Sequence, residues 1–491
     1  MPKSPDYYSL LKISRHATQE EIREAYFNAA RRLHPDVNKE PGETEFFLDV
    51  QAAYEVLNDP STRAQYDINL PPEETPPVPF QQTVIYSRKT VFRSKEPQLI
   101  YVLLKHSPTS DPSAFSSPPL NLSLVLDRST SMKGMKMDMV KATVIQILHR
   151  VNPQDIFSVV AFNDRAEVII PMNSSLEMTK LEARIQMLQN SGGTEIFKGL
   201  EAGFQEVSRN ANGKKINHII LLTDGQTYGD HELCMELAGK ASQKGIGISG
   251  IGVGDKWNDP FLDALGGKTG GSTMYVSSPD EINRVLLEKL DNLWKVYAEN
   301  GRLQFDLLPG VDLRYAFRLQ PESGDLSGGS PLKLGYIPCD GSLRILFEFL
   351  IHPGVAAGEE LTFLSGKVDY QISTSSPSVS TMKVVLSRPV SDRLESDLPP
   401  QEITEALSRL SIYRLQEQVR LEVNSGEFNN ALTHLKYMAT NLLSQGEKQL
   451  ARTVLLEADN IMKSQSFSPG GDKQIKYGTR ALLMPGKETS V

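Results

Sequence analysis

The sequence predicts a multidomain α/β chain: an N-terminal unit of three to four helices, a doubly wound parallel sheet, a flanking β-sandwich and a C-terminal helical segment. Three observations carry this reading. The chain has 491 residues, too many for one core at the usual ~100 to 200 residues per domain. Its apolar residues recur at helical spacing towards both ends, whereas the centre alternates short apolar strands with helical stretches. Proline-rich and Gly/Ser-rich stretches separate these regions.

Residues 5–70 make the first unit. Tyr7, Leu10 and Leu11, then Ile22, Tyr26, Ala29, Ala30 and Leu33, then Phe46, Phe47, Val50, Tyr54 and Leu57 supply three short amphipathic helices with one small core. Thr18, followed three positions on by Glu21, is a capping box for the second helix, each side chain bonding the other's free backbone N–H. Residues 71–81 begin PPEETPPVPF, and prolines without a backbone donor continue neither a helix nor a ladder, so this stretch is a linker.

Residues 82–117 alternate as strands do, in TVIYSRKTVF and QLIYVLLKH. From 118 to 296 the apolar runs LSLVLD, FSVVAF, INHIILLTDG and GIGISGIGVG alternate with helical stretches, the pattern of a parallel sheet covered on both faces. Residues 297–393 return to strand-like runs such as LRILFEFL and MKVVL, consistent with a β-sandwich. Neither flanking β segment closes its edges alone, so the sequence predicts one discontinuous β domain with the α/β unit inserted. Residues 394–468 are helical in period, broken at SGEF and SQGE, and 469–491 show no period and are assigned as a tail.

Composition narrows the function. A net charge of −8, from 52 basic and 60 acidic side chains, offers no basic footprint for nucleic acid. Two distant cysteines, Cys234 and Cys339, supply neither a disulfide framework nor a four-ligand zinc site, which fits a reducing compartment. The N-terminus lacks the apolar run of a secretory signal, and no stretch approaches the ~18 apolar residues of a membrane span. The expectation is a cytoplasmic protein with no membrane association.

Two constellations carry the function. In the loop after the second helix stands His34-Pro35-Asp36, preceded by Arg31 and Arg32 and followed by QAAYEVLNDPSTRAQYD. Together with the helical core, this combination closely resembles the J domains of the DnaJ family over residues 5–70. The resemblance implies that His34, Pro35 and Asp36 engage the ATPase and linker of a DnaK-type chaperone. It also implies that Arg23, Arg31 and Arg32 steer towards that chaperone's acidic surface. Phe27 and Asn28 depart from the family, standing where it usually offers basic residues.

The second constellation begins at the end of the LSLVLD strand with Asp127, Ser129 and Ser131 in the order D-x-S-x-S; Thr194 follows in SGGT, and Asp224 ends LLTDG. Singly these are ordinary caps and turn residues. In a doubly wound sheet, however, ligands bind beyond the carboxyl ends of the strands, where these loops converge. The set resembles the metal-ion-dependent adhesion site of von Willebrand factor A (VWA) domains in all five positions. Oxygen-only ligands suit a hard divalent cation such as Mg2+. The resemblance implies that Ser129, Ser131 and Thr194 contact the metal, that Asp127 and Asp224 act through waters, and that a partner's Asp or Glu completes the shell.

Enzyme readings fail on inspection. GGKTGG at 266–271 lacks the first glycine of a phosphate loop, since Leu262 stands there. The GIGVG cluster reads as a turn, His218 as a packed strand residue, and no serine lies in a G-x-S-x-G context. The expected function is that of a non-enzymatic J-domain co-chaperone and adaptor, holding a protein partner at the metal site. The rivals are an assembly platform for an AAA+ ATPase and an adhesion-type binding module.

Overall fold

Four helices build the N-terminal unit: α1 (Tyr7–Leu11), α2 (Gln19–Leu33), α3 (Glu43–Leu57) and α4 (Pro60–Asn69). At the start of α2 the Thr18 N–H donates to Glu21 Oε2 at 2.7 Å and the Glu21 N–H to Thr18 Oγ1 at 3.3 Å, a reciprocal cap. Asp59 starts α4, its Oδ1 accepting from the N–H groups of Ser61 and Thr62 at 2.9 and 3.0 Å, with Pro60 pre-set for the first helical position. Tyr8, Leu10, Leu11, Ala17, Ile22, Val50, Ala53 and Leu57 form the core, and Tyr26 stacks on Tyr54 at 4.1 Å. Of the two phenylalanines expected in this core, Phe47 packs against it and Phe46 is 36% exposed.

The computed structural model describes residues 7–11, 13, 17–33, 43–69, 80–109, 118–172, 177–211, 214–226, 229–326, 329–356, 358–372, 378–393 and 398–483. The chain divides into two units, Met1–Pro77 and Val78–Val491.

The second unit opens with β1 (Phe80–Tyr86), β2 (Val91–Phe92) and β3 (Gln98–Pro108). An α/β layer follows: β4 (Leu120–Asp127), α5 (Met135–Arg150), β5 (Ile156–Phe162), β6 (Ala166–Ile170), α6 (Met178–Gln186), α7 (Ile196–Arg209), β7 (Ile216–Thr223), α8 (His231–Gln243), β8 (Gly247–Val253), α9 (Asp259–Thr269), β9 (Thr273–Val276) and α10 (Glu281–Trp294). Its sheet runs β6-β5-β4-β7-β8-β9 and is parallel except for β6. The central strand β4 is buried at every position. Leu120, Leu122, Leu124 and Leu126 pack into the layer of α5, α6 and α10, while Val125 packs into that of α7, α8 and α9. Alternation along one strand thus covers both faces. Helix α7 lies tight on the sheet because Gly199 and Gly203 face it; a Cβ at these positions would come within 2.6 Å of Phe162 and 2.5 Å of Val125.

Strands β10 (Val296–Leu307), β11 (Val311–Gln320), β12 (Gly324–Asp325), β13 (Leu332–Pro338), β14 (Leu343–Ile351), β15 (Glu360–Ile372) and β16 (Ser378–Ser391) complete a sandwich. Its sheets are ordered β1-β3-β14-β11-β12 and β13-β10-β15-β16-β2. The early strands enter both sheets: β3 pairs antiparallel with β14, with Leu103 opposite Leu346, and β2 pairs parallel with β16. The α/β layer is therefore an insertion between two parts of one sandwich.

Helices α11 (Gln401–Ser425), α12 (Phe428–Ser444), α13 (Lys448–Ser464) and α14 (Gly471–Leu482) finish the chain. On α11, Ile403, Ala406, Leu410 and Tyr413 pack against Leu103, Phe317 and Leu346 of the sandwich. Helix α14 corrects the reading of 469–491 as a tail. Its buried face is built from Lys473, Lys476, Thr479 and Arg480 beside Ile475, so the period is carried by charge and no apolar stripe marks it. Lys476 reaches Asp259 and Asp263 on α9 at 2.6 and 2.7 Å, and Arg480 reaches Asp263 at 2.8 Å.

Candidate functional site

On α2 of the N-terminal unit Arg23 and Arg31 are exposed. The Arg32 side chain and His34, Pro35 and Asp36 lie outside the described residues. Phe27 is 61% exposed, an aromatic ring held in water on the helix that carries the arginines.

The second candidate site is built at the carboxyl ends of β4 and β7, the neighbouring central strands. Asp127 is the last residue of β4 and is fully buried. Both of its oxygens are engaged: Oδ1 accepts from the Ser129 N–H at 2.8 Å and Oδ2 from the Thr223 hydroxyl at 2.6 Å. Burial pushes the Asp127 carboxyl above the usual range and nearby Asp224 adds to the rise, against the lowering by the Thr223 and Ser129 hydrogen bonds. Ser129 Oγ lies 3.0 Å from Ser131 Oγ, and the Ser131 hydroxyl donates to Asp224 Oδ1 at 2.6 Å. Asp127, Ser129, Ser131 and Asp224 are thus one connected set.

Thr194 arrives from the loop before α7. That loop is fastened to the Ser129 segment by Asn190 Nδ2 donating to the Ser129 carbonyl at 3.1 Å and the Thr130 N–H donating to the Gly192 carbonyl at 3.2 Å. Thr194 sits over the turn after Asp224, where a Cβ at Gly225 would lie 2.9 Å from Thr194 Oγ1. Only glycine leaves that approach open. The fifth expected residue therefore also joins the set.

Two groups that sequence reasoning missed belong here. Thr223 orients Asp127, and Lys136, from the first turn of α5, extends its ammonium to Asp224 Oδ2 and lies 3.4 Å from the Ser131 carbonyl oxygen. The donor set consists of three neutral hydroxyls backed by two carboxylates, which is the oxygen chemistry a hard divalent cation takes. A cationic side chain already lies against one of those carboxylates, so the residues fit a cation. Among the described residues no group of three or more His, Cys, Asp or Glu side chains forms a metal cluster.

Other candidates resolve as structure. His218 is buried with Nε2 2.9 Å from Ser249 Oγ, and burial, with the nearby Lys289 charge, pushes its imidazole down to about 3, so it is a neutral packing residue. Cys234 and Cys339 are free thiols. Among the described residues no helix is long and apolar enough to cross a membrane.

Comparison with known proteins bears on both sites. Residues 6–67 match the DnaJ domain family and residues 121–290 the von Willebrand factor type A domain family. The chain joins a DnaJ domain to a VWA domain. Residues 401–485 match the family described as the Sll0103-like, C-terminal alpha-helical domain, which takes in α14. The uncharacterized protein sll0103 of Synechocystis sp. is 27% identical over 380 residues, covering 75% of this chain and 89% of that protein. The chaperone protein DnaJ of Dictyoglomus thermophilum is 52% identical over 67 residues, and that of Trichormus variabilis 56% over 62. The J-domain chain spans only 17% and 16% of those two proteins' lengths. Among solved structures, a von Willebrand factor type A protein from Catenulispora acidiphila superposes with a TM-score of 0.65 at 15% identity, over 83% of this chain and 97% of that one. The ArnB paralog VWA2 from Sulfolobus acidocaldarius gives 0.53 at 16% identity, over 83% and 100%. These two structures share the fold of the part of this chain that they cover.

Proposed function

We propose that this protein is a cytoplasmic J-domain co-chaperone and adaptor that stimulates a DnaK-type chaperone ATPase and holds a protein partner through a Mg2+-dependent site on its VWA domain. The observation that carries the reading is the convergence of Asp127, Ser129, Ser131, Thr194 and Asp224 at the strand ends of a domain covalently joined to a J domain. A divalent ion bound there would supply a Lewis acid able to take a partner's carboxylate. Ser129, Ser131 and Thr194 would hold that ion directly. Asp127 and Asp224 supply negative charge from behind, with Asp127 fixed by Ser129 and Thr223. Few anionic direct ligands leave the ion able to attract a further Asp or Glu. Tethering then raises the local concentration of the chaperone around the held partner. ATP turnover belongs to the chaperone.

The test separates the two activities in the full-length chain. His34→Gln is expected to abolish stimulation of a cognate DnaK-type ATPase while leaving partner capture intact, whereas Asp127→Ala is expected to release the partner while leaving stimulation intact. Equal ATPase stimulation by wild type and His34→Gln sinks the co-chaperone claim, and unchanged partner affinity after chelation sinks the metal claim. Recovery of a ring ATPase in the Mg2+-dependent fraction turns the reading towards an assembly platform.

A further inference from the structure

Lys136 is placed against a local preference. It is the second residue of α5 (Met135–Arg150), where the positive end of the helix dipole disfavours a cation. Its ammonium nevertheless bends into the strand-end site, pairing with Asp224 Oδ2, whose side chain is 1% exposed while that of Lys136 is 29% exposed. The Ser131 carbonyl oxygen lies 3.4 Å from Nζ. Among the described residues Lys136 is the cation paired with Asp224, which Ser131 also engages.

We propose that Lys136 is a built-in competitor for the divalent cation, its ammonium neutralising Asp224 until an incoming ion displaces it. The proposal rests on the metal reading above and adds to it the residue that sets the ion's threshold. Two buried carboxylates cannot share a site at neutral pH without cost, and one ammonium offsets part of that charge. A divalent ion held by Ser129, Ser131 and Thr194, with Asp224 behind it, would place positive charge beside the carboxylate that Nζ now neutralises, and like charges at close range repel. The lysine therefore has to leave Asp224 as the ion arrives. Its flexible four-carbon stem and partly exposed position let it swing to the rim without moving the backbone. The ion-free site is kept ordered, at the expense of affinity for the ion.

The experiment uses the full-length chain and Mg2+ itself, followed by calorimetric titration and by melting temperature, in wild type, Lys136→Met, Lys136→Gln, Lys136→Arg and Asp224→Asn. The two neutral variants are expected to melt lower than wild type without Mg2+ and to bind it roughly tenfold more tightly. Lys136→Arg should stay near wild type, and Asp224→Asn should lose most binding. Far-ultraviolet circular dichroism checks that each variant is folded. If wild type binds Mg2+ and neither neutral variant binds it more tightly, the competitor is refuted while the metal site stands. If no protein in the series binds Mg2+, both ideas fall together.

Discussion

Asp127 and Asp224 stand at the ends of adjacent strands, and their surroundings divide the work between them. Asp127 is enclosed by the Ser129 N–H and the Thr223 hydroxyl, whereas Asp224 faces Ser131 and Lys136. A ligand that binds only the folded state stabilises it by mass action, about 2.7 kcal/mol at a hundredfold excess over Kd. Saturating Mg2+ is therefore expected to raise the melting temperature of the wild-type protein by about 3 °C. Asp127→Ala, or Ser129→Ala with Ser131→Ala, should remove that rise in differential scanning calorimetry. A rise that persists in these variants would place the ion elsewhere. The five residues of the proposed site could be grouped from the sequence because their order and their place at strand ends resemble a known pattern. Lys136 was not, since a lysine early in a helix looks like any solvated side chain. Its role depends on Asp224, 88 residues away, folding beside it. Thr223, next to Asp224 in sequence, was hidden by the same dependence on β4.

At the level of the element, α14 is held by charge. Burial alone raises the Asp263 carboxyl, but the Arg480 and Lys476 cations outweigh it and hold the carboxyl well below the usual carboxylate range. Arg420 adds a two-pronged contact to Asp259 at 2.8 and 3.1 Å. Removing one side of a buried ion pair strands the other, at a typical cost of ~3 to 5 kcal/mol. Lys476→Met with Arg480→Met is therefore expected to destabilise the C-terminal unit by at least ~3 kcal/mol. It should also open the segment between α13 and α14 to limited proteolysis, and an unchanged digestion pattern would count against the clamp. This is also where the sequence was hardest to read. The three preceding helices show apolar periods and clear breaks at SGEF and SQGE, but the buried face of α14 is made of lysine, threonine and arginine, which hydrophobic periodicity scores as surface. The J-domain helices were plainer, because the capping box at Thr18 and Glu21 is local and its partners are three residues apart.

For the molecule beyond the J domain, the VWA layer and the sandwich are joined by a buried ion pair between Lys289 on α10 and Glu322 in the turn after β11, at 2.7 and 2.8 Å. Burial pushes the Glu322 carboxyl up, but the Lys289 ammonium outweighs it and holds it down at about 2. A depressed carboxyl contributes stability that is present above its unfolded value near 4.5 and is lost as the pH falls towards 2. Acid titration of the folded protein should therefore show a loss of stability in that window that Glu322→Gln flattens, and parallel curves for the two proteins would refute the assignment. Lys289→Met alone should destabilise by ~3 to 5 kcal/mol, and Lys289→Met with Glu322→Leu should recover much of it. The alternating strands on both sides of the VWA domain were readable as β structure. Which of them share a sheet was not, because alternation specifies a face and leaves the neighbour open.

The insertion also has a consequence in time. The His106 ring on β3 meets the Tyr370 hydroxyl on β15 at 2.7 Å across 264 residues of sequence. At ~5 to 20 residues per second of synthesis, the first strands of the sandwich wait on the order of ten to fifty seconds for their partners. Throughout that interval the apolar edge of β3 is exposed on a nascent chain whose J domain, with a core of its own, has already left the ribosome. Chains arrested after α10 are expected to be cleaved by protease within residues 80–108 while the J domain resists, and equal resistance of both segments would show that the first strands find shelter before the last are made.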